Sequence, residues 1–374
     1  MNILFLTEEA INFSGTMVRG GQIHVRNVVE GLRKRGHDVH IIDWNDSPEK
    51  GHQHSISPVM RYGIDPSRTV VHSILVGRKT DTDIVVSKTR KTYIPGLLAA
   101  RILDVPHVVH VGSSPRSTSE GVAGGLHTFS IQSRIKAPHD GYLVVCSALR
   151  DELLNIGIDP KKIYDVKNAV DIDRFHPKRT PTPFNPNDRE QIKTFAANRF
   201  LLGFVGGIYP YKGLDDLADA LECVNTTFGI VIAGEGPERK RLERRFGEDG
   251  LFLGPIANNQ IPAFYKYIDG IVLPSHTEGL PRIVLEAQAT ATPVVATRVG
   301  GVPEVLDDQE TGLLCAPRAP EDLATKLDQL ADQTSLRDYL ARNGRRAVET
   351  EFAWPRLYDR YERYLREVIA RCAT

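Results

Sequence analysis

Residues 271–287 read IVLPSHTEGLPRIVLEA, and they contain one complete strand, turn and helix of the predicted fold. The apolar run 271–273 predicts a buried strand, and the polar stretch after it, with Gly279, predicts a tight turn. A helix is expected to begin near Leu280 with Pro281 in its first turn, where a missing N–H leaves no helix hydrogen bond unmade. Open α/β sheets bind ligands beyond the carboxyl ends of their strands, so this turn is a candidate site.

The same alternation of short apolar runs and segments of helical period occurs through most of the chain. It is typical of βαβ units and parallel sheets, and it occurs once in each half. We therefore predict an α/β protein with two Rossmann-like, doubly wound parallel-sheet domains. The predicted strands are 3–6, 39–42, 84–86, 108–111 and 142–145, then 201–205, 229–233, 251–253, 271–273 and 294–296; helices are expected near 23–34 and 94–103.

The length of the chain also favours two domains, because 374 residues exceed what one hydrophobic core usually serves. Four prolines in residues 176–186 exclude regular helices and strands and predict a linker. The expected domains are 1–178 and 179–353. Residues 354–374 carry aromatic and aliphatic side chains at helical spacing with no strand after them, so they are predicted to form a helix that packs back on the first domain.

Composition excludes several classes of protein. The 47 basic side chains match 47 acidic ones, which argues against bulk binding to nucleic acid or to anionic membrane. Four widely spaced cysteines fit a reducing compartment better than a disulfide framework or a zinc site. The N-terminus has no signal-peptide pattern, and no stretch reaches the ~20 apolar residues of a membrane span. A cytoplasmic protein is expected.

One basic run, residues 239–245, stands out from this balance. We interpret it as a solvated helix face rather than a membrane patch, while peripheral membrane contact stays an open alternative.

Several residues follow predicted strands at the carboxyl edges of the sheets. Lys212 ends a loop that opens with Gly206 and Gly207, which would place one cation at a strand end; a lone surface lysine is the alternative. Glu286 lies roughly 12 Å of helical rise beyond Glu278, among apolar neighbours. The alternative interpretation of these carboxylates is a solvent-facing pair on a surface helix. The helix end after Gly279 favours an anion.

The first half offers a weaker signal. Gly20 and Gly21 join the loop of the first strand to the first helix, so backbone N–H groups there would face the ligand edge. The pattern is not the Gly-x-Gly-x-x-Gly of dinucleotide sites. The sequence contains no P-loop, nucleophile elbow or zinc-type spacing.

These segments together resemble the retaining glycosyltransferases of family 4 (glycosyl transferases group 1), which have the GT-B fold of two Rossmann-like domains facing across a cleft. The resemblance covers nearly the whole chain. Its marker is a pair of glutamates separated by seven residues, here Glu278 and Glu286. Further matches are Pro274-Ser275, Gly279-Leu280-Pro281, Leu285 and Ala287, residues 293–297, Gly300-Gly301, residues 303–305 and 312–314, and Asn168-Ala169-Val170-Asp171 with Phe175 and Pro177.

The resemblance implies transfer of a sugar from a UDP- or GDP-sugar to an acceptor hydroxyl, with retention of anomeric configuration. It implies that Glu286 holds the donor ribose, that Glu278 and the amides after it lie along the sugar and β-phosphate, and that Lys212 binds the diphosphate. No cofactor, metal or protein nucleophile is implied, because the enzyme stabilises charge on the departing diphosphate. The predicted catalytic residues are Glu278, Lys212 and His110; the donor-binding residues are Gly20, Gly21, Gly207, Lys212, Glu278, Gly279, Leu280, Pro281 and Glu286.

Two positions depart from the family pattern. Gly207 stands where the family usually has an arginine, which Arg282, Arg298 or another residue would have to replace. Gly112 stands where the family tends to have a histidine. His110 lies two residues before Gly112 on the same strand face and is predicted to reach the sugar instead. The alternative is a strand histidine whose hydrogen bonds are all made within the protein. These departures keep a second function open, a catalytically silent relative that binds nucleotide-sugars. A third, an epimerase or phosphorylase, lacks a motif for the pyridoxal cofactor of phosphorylases.

The acceptor is the least determined partner. Loops 8–19, 44–68 and 113–138 of the first domain are expected to bind it, since such loops vary while the scaffold does not. A carbohydrate, a lipid-linked or a small-molecule acceptor would each suit the chain.

Overall fold

The computed structural model describes residues 1–11, 20–43, 53–55, 66–115, 121–179 and 182–373. The chain forms two compact units, one of Met1–Lys167 with Pro355–Thr374 and the other of Asn168–Trp354. Each unit contains a parallel sheet with helices packed against it, so the predicted α/β class with two Rossmann-like domains is confirmed.

The first unit alternates strands and helices along the chain. Its elements are β1 (Asn2–Leu6), α1 (Gly20–Lys34), β2 (Asp38–Asp43), β3 (Gln53–Ser55), α2 (Pro66–Lys79), β4 (Ile84–Ser87), α3 (Tyr93–Leu103), β5 (His107–Val111), α4 (Gly121–Ile135), β6 (Gly141–Val144), α5 (Ser147–Asn155) and β7 (Ile163–Asp165). The sheet order is β3-β2-β1-β4-β5-β6-β7, with every pairing parallel. The order reverses at β1, which makes its carboxyl end a topological switch point.

The central strands of this sheet are buried on both faces and therefore read as continuous apolar runs. Two histidines interrupt the run of β5, and each finds polar partners in the core. His107 lies 2.9 Å from Ser87 Oγ through Nε2 and 2.9 Å from His139 Nδ1 through Nδ1. Burial lowers the pKa of His107 well below its usual range and that of His139 to about 4. The rings of His107 and His139 are thus neutral at pH 7, and each can donate one hydrogen bond and accept another.

The second unit repeats the pattern with a six-stranded sheet in its described part. Its elements are α6 (Pro186–Phe195), β8 (Phe200–Val205), α7 (Leu214–Leu221), β9 (Phe228–Ala233), α8 (Arg239–Phe246), β10 (Gly250–Gly254), α9 (Ile261–Phe264), β11 (Gly270–Leu273), α10 (Arg282–Ala289), β12 (Val294–Thr297), β13 (Leu313–Cys315), α11 (Pro320–Asp332) and α12 (Thr334–Glu351). The strand order is β10-β9-β8-β11-β12-β13. Here the order reverses at β8, so a ligand is expected between the ends of β8 and β11.

The last helix, α13 (Trp354–Cys372), belongs to the first unit from Pro355 onward. Tyr358 donates to the carbonyl of Asn27 at 3.2 Å, and the Tyr361 hydroxyl lies 2.9 Å from His110 Nδ1. Tyr361 is completely buried. The polar ends of these tyrosines therefore bond to α1 and to a core strand while their rings fill apolar space.

The predicted linker, residues 176–186, does not separate the two units. The two units divide between Lys167 and Asn168, and residues 176–186 lie inside the second unit. Pro186 begins α6, and the Asn185 side chain caps that helix by accepting from the N–H of Asn187 at 2.8 Å. Proline is well suited to this first helical position, so it marks a helix start here rather than a break.

Smaller corrections concern helix starts and short strands. Helix α10 begins at Arg282 with Pro281 as its capping residue, two residues later than predicted. Residues 121–135, predicted as part of an acceptor loop, form α4. Strands β3, β7 and β13 were not predicted, because three residues are too few to show a period. Of the other predicted acceptor loops, residues 12–19, 44–52 and 56–65 lie outside the described residues.

Among the described helices, none combines the length and the apolar content that crossing a bilayer requires.

Candidate functional site

The carboxyl ends of β8 and β11 carry an ion pair at the switch point of the second sheet. Lys212 Nζ lies 2.6 Å from Glu278 Oε1, and Ser275 Oγ donates to the same oxygen at 2.7 Å. The Lys212 and Glu278 side chains are only 18% and 11% exposed, so this pair is shielded from bulk water. The structure thus brings together two predicted site residues from loops far apart in sequence.

Main-chain contacts hold these two loops together. The N–H of His276 donates to the carbonyl of Tyr211 at 2.8 Å, and His276 Nε2 lies 2.8 Å from an Asp216 carboxylate oxygen. Gly213, directly after Lys212, has φ +66°, and a Cβ there would come within 2.0 Å of the Pro274 carbonyl oxygen. Only glycine satisfies both conditions. The turn at Gly213, which has no room for a side chain, therefore holds Lys212 beside Glu278.

The loop after β12 packs against the main chain of Glu278 and Gly279. Gly300 has φ +50°, and a Cβ there would lie 1.9 Å from the Glu278 carbonyl oxygen. The N–H of Gly301 donates to the Gly279 carbonyl at 2.8 Å. The main chain of Glu278 and Gly279 is thus fixed from the β12 side, while Gly213 packs against Pro274 at the start of the same loop.

This close approach makes Gly300 testable. Gly300→Ala is expected to lower the free energy of unfolding by about 1–3 kcal/mol, because the added methyl group displaces the main chain of Glu278. Donor affinity should fall with it. Gly157→Ala is the matched control, since Gly157 also has a positive φ, +90°, but nothing within 4 Å of its Cβ position. Chemical denaturation of both variants checks the difference, and equal losses would contradict the packing explanation.

Glu286, the second predicted glutamate, lies in different surroundings on α10. Its side chain is buried, with one oxygen 3.0 Å from Arg282 Nη2 and the other accepting from the Tyr265 hydroxyl at 3.3 Å. Burial raises the pKa of Glu286 despite the opposing charges of Arg282 and Arg174. Within the described residues, no hydrogen bond joins Glu286 to Glu278. The two carboxylates are thus held in separate places by separate partners.

The Asn168-Ala169-Val170-Asp171 segment was predicted to end the first domain, but it supports the site of the second unit. Asn168 Nδ2 donates to the carbonyl of Leu280 at 2.6 Å, which fixes the turn before α10. The Asp171 carboxylate accepts the N–H of Arg174 at 3.0 Å. Arg174 in turn opposes the rise in the pKa of Glu286. The motif was visible in the sequence, yet its structural role was missed because the domain boundary was placed after it.

Gly207 lies in the turn at the end of β8, and this turn is braced by the N–H of Ile208, which donates to the Glu235 carbonyl at 3.0 Å. Two arginines were candidates to replace the missing cation at this position. Arg282 contacts Glu286, and Arg298 contacts Asp308 at 3.1 Å. Both are therefore engaged with carboxylates, and Lys212 is the cation that the structure places beside Glu278.

The remaining predicted residues lie in the first unit and form a separate group. Gly20 and Gly21 begin α1, and a Cβ on Gly21 would come within 2.5 Å of a Glu9 carboxylate oxygen. His110 is completely buried in β5, with Nδ1 bonded to Tyr361. Among the described residues its Nε2 has no hydrogen-bond partner, and this atom lies 3.8 Å from the Cβ position of Gly112.

Two basic residues that follow β4 at the carboxyl edge of the first sheet were not predicted from the sequence. Lys88 follows β4, and its Nζ lies 3.5 Å from the Cβ position of Gly112. Burial of the His110 ring, and then the charge of Lys88, hold the pKa of His110 well below the usual range. Arg90 donates to Ser113 Oγ at 2.9 Å and to the Ser114 carbonyl. Their position directly after an apolar strand was the available signal.

Comparison with known proteins accounts for both units. Residues 18–174 match the family model described as Glycosyltransferase Family 4, and residues 186–347 match the model described as Glycosyl transferases group 1. The chain belongs to the family 4 glycosyltransferases. This glycosyltransferase is 27% identical over 400 residues to the alpha-maltose-1-phosphate synthase of Mycolicibacterium smegmatis, covering 99% of this chain and 100% of that one.

Solved structures share the fold of this glycosyltransferase. Sucrose-phosphate synthase from Thermosynechococcus elongatus superposes with a TM-score of 0.83 at 19% identity over 99% of both chains. Anabaena HepE in complex with UDP-glucose superposes with a TM-score of 0.80 at 19% identity, over 98% of this chain and 100% of that one. The predicted family and its GT-B fold are therefore confirmed.

Proposed function

We propose that this glycosyltransferase transfers a sugar from a UDP- or GDP-sugar to an acceptor hydroxyl with retention of anomeric configuration. The observation that carries the proposal is the Lys212–Glu278 pair at the switch point of the second sheet, beside the turn into α10. The structural neighbour whose complex contains UDP-glucose supports a uridine donor, and a guanosine donor is the alternative.

Each residue has a distinct part in this proposal. Glu286 accepts hydrogen bonds from the donor ribose, with Arg282 and Tyr265 holding its carboxylate in place. The sugar and the β-phosphate lie along Gly279, Leu280 and Pro281. These residues precede the N-terminal end of α10, whose free N–H groups favour negative charge. Lys212 neutralises the departing diphosphate, and Gly207 leaves room for the phosphates at the end of β8. Gly20 and Gly21, at the start of α1, remain proposed donor-binding residues.

The proposed reaction is a front-face substitution. The bond between the anomeric carbon and the diphosphate oxygen breaks first, and the acceptor oxygen attacks from the same face. The acceptor proton goes to the leaving phosphate. Glu278 Oε1 already accepts from Lys212 and Ser275, which weakens it as a nucleophile and favours this route over a covalent intermediate. Positive charge from Lys212 and the end of α10 serves the purpose that a metal serves elsewhere.

Donor turnover tests this proposal directly. The protein is incubated with a panel of UDP- and GDP-sugars and with carbohydrate, lipid-linked and small-molecule acceptors, and free nucleoside diphosphate is measured. We expect release from one donor class, and an NMR coupling constant at the new linkage that matches the anomeric configuration of the donor. An inverted product would contradict retention. Nucleotide binding without release for every acceptor would support the catalytically silent relative.

His110 is proposed to face the transferred sugar in place of a histidine at position 112. His110→Ala should lower kcat roughly tenfold, the value of one lost hydrogen bond to a sugar hydroxyl. Tyr361→Phe is the control, because it removes the partner of Nδ1 and leaves Nε2 in place. A histidine with only a structural role would lower the thermal stability of His110→Ala and leave kcat unchanged in both variants.

A further inference from the structure

Three helices of the first unit expose large apolar side chains to solvent. Six of the nine exposed large apolar side chains in the described part of the chain lie on α2, α3 and α4. Phe129 is 72% exposed and Leu126 67%, more than any of the others. We refer to the set as the α2–α4 face, which consists of Val71, Leu75, Leu98, Ile102, Leu126 and Phe129.

The fold places these side chains on one surface. Helices α2, α3 and α4 connect β3 to β4, β4 to β5 and β5 to β6, and all three steps run in the same direction along the sheet. Right-handed crossovers in one direction lie on one side of a sheet, and α3 contacts both α2 and α4. Within each helix the exposed residues are three or four positions apart and so share one stripe. Three outward stripes therefore lie side by side.

The charges on these helices have a single sign. The segments PSRTVVHSILVGRK, YIPGLLAARIL and GVAGGLHTFSIQSRI contain no aspartate or glutamate. They carry five basic residues, although the whole chain has no net charge. One of them, Arg101, also contacts Asp140 at 3.7 Å. The basic residues are Arg68, Arg78, Lys79, Arg101 and Arg134.

The basic run 239–245 on α8 shows the contrast. Arg239 pairs with Glu235 and Glu243, and Arg241 pairs with Asp215 and Glu238. Nearby carboxylates thus neutralise that run, as expected for a solvated helix face. The helices of the α2–α4 face instead combine exposed apolar side chains with basic residues and contain no carboxylate of their own.

We propose that the α2–α4 face binds an anionic lipid surface. Apolar side chains among basic ones suit the boundary between headgroups and acyl chains, where arginine and lysine meet lipid phosphates. A second copy of this chain fits less well, because a two-fold dimer would set the same cationic face against itself. The association is peripheral and does not depend on which sugar the enzyme transfers.

Vesicle flotation tests this surface. Wild-type protein should float with vesicles of phosphatidylcholine containing 30 mol% phosphatidylglycerol, at about 0.1 M salt, and not with pure phosphatidylcholine. Leu126→Ser/Phe129→Ser and Arg78→Glu/Lys79→Glu should each lower the partition coefficient about tenfold or more. Tyr339→Ser, an exposed apolar residue of α12, and Lys240→Glu/Arg244→Glu, the same charge change on α8, are the matched controls and should stay within about twofold of wild type.

Three results would overturn the proposal. They are failure of the wild type to float with anionic vesicles, flotation of both face variants at the wild-type level, and loss of a wild-type dimer in the face variants with no vesicle binding. Thermal melts of every variant verify folding. The Arg78→Glu/Lys79→Glu pair alters exposed side chains only, so it decides the question even if the apolar variant does not fold.

Discussion

Lys212→Ala will lower kcat/KM for donor turnover by about 10²–10³-fold. Lys212 is the cation held at the end of β8 beside Glu278, in a place shielded from water. Without Lys212, the charge on the departing diphosphate is stabilised only by the N-terminal end of α10. Steady-state release of nucleoside diphosphate measures the effect.

The loss should appear mainly in kcat, because the leaving group gains charge in the transition state. Lys240→Ala removes an exposed lysine of the basic run on α8 and serves as the matched control, with kcat/KM expected to be unchanged. A loss of less than about threefold in Lys212→Ala would contradict the proposed role of this lysine.

Glu286→Gln will weaken donor binding by about 10–100-fold without lowering thermal stability at pH 7. The carboxylate is proposed to accept ribose hydroxyls, and an amide offers one acceptor oxygen where the carboxylate offers two. Burial raises the pKa of Glu286, so the folded protein disfavours the ionised form that the function needs. A neutral side chain of the same shape removes that cost.

The sign of the pH dependence follows from the raised pKa. Protonation of Glu286 stabilises the fold, and this contribution is fully present below the unfolded glutamate pKa of ~4.3 and is lost as pH rises through the higher folded value. Wild type should therefore lose stability relative to Glu286→Gln as pH rises from about 4 to 7. Urea unfolding across that range checks it. A variant that binds donor like wild type, or is clearly less stable at pH 7, would contradict this view of Glu286.

The strands of both sheets were predictable because central parallel strands are buried on both faces and read as apolar runs. The short edge strands β3, β7 and β13 carry too few residues for such a signal. Helix α4 was missed because its sequence begins Gly121-Val122-Ala123-Gly124-Gly125, and glycine disfavours helices unless tertiary packing compensates. Pro186 was taken to break structure where it begins a helix.

The positions of Lys212 and Glu278 followed from strand ends alone, since carboxyl ends of neighbouring parallel strands meet at one edge. Their direct contact did not, because it joins residues 66 positions apart through the geometry of two turns. The bond between His110 and Tyr361 spans 251 positions and depends on where α13 packs. Pairings of this kind are set by tertiary packing, which no local pattern reports.

The α2–α4 face was invisible for a related reason. A net charge of zero is an average over the whole chain, and it led us to argue against bulk binding to anionic membrane. The fold sorts the charges, because acidic residues neutralise α8 while α2, α3 and α4 contain none. Only the arrangement of helices on one side of the sheet shows that three separate stripes meet.

Calorimetric titration of the protein with UDP, GDP and ADP tests the central claim, that the switch point of the second sheet binds a nucleoside diphosphate. We expect one of UDP and GDP to bind, ADP to bind at least tenfold more weakly, and both Lys212→Ala and Glu286→Gln to lose most of the affinity. Absence of binding by every nucleotide, or equal binding by wild type and both variants, would contradict the claim.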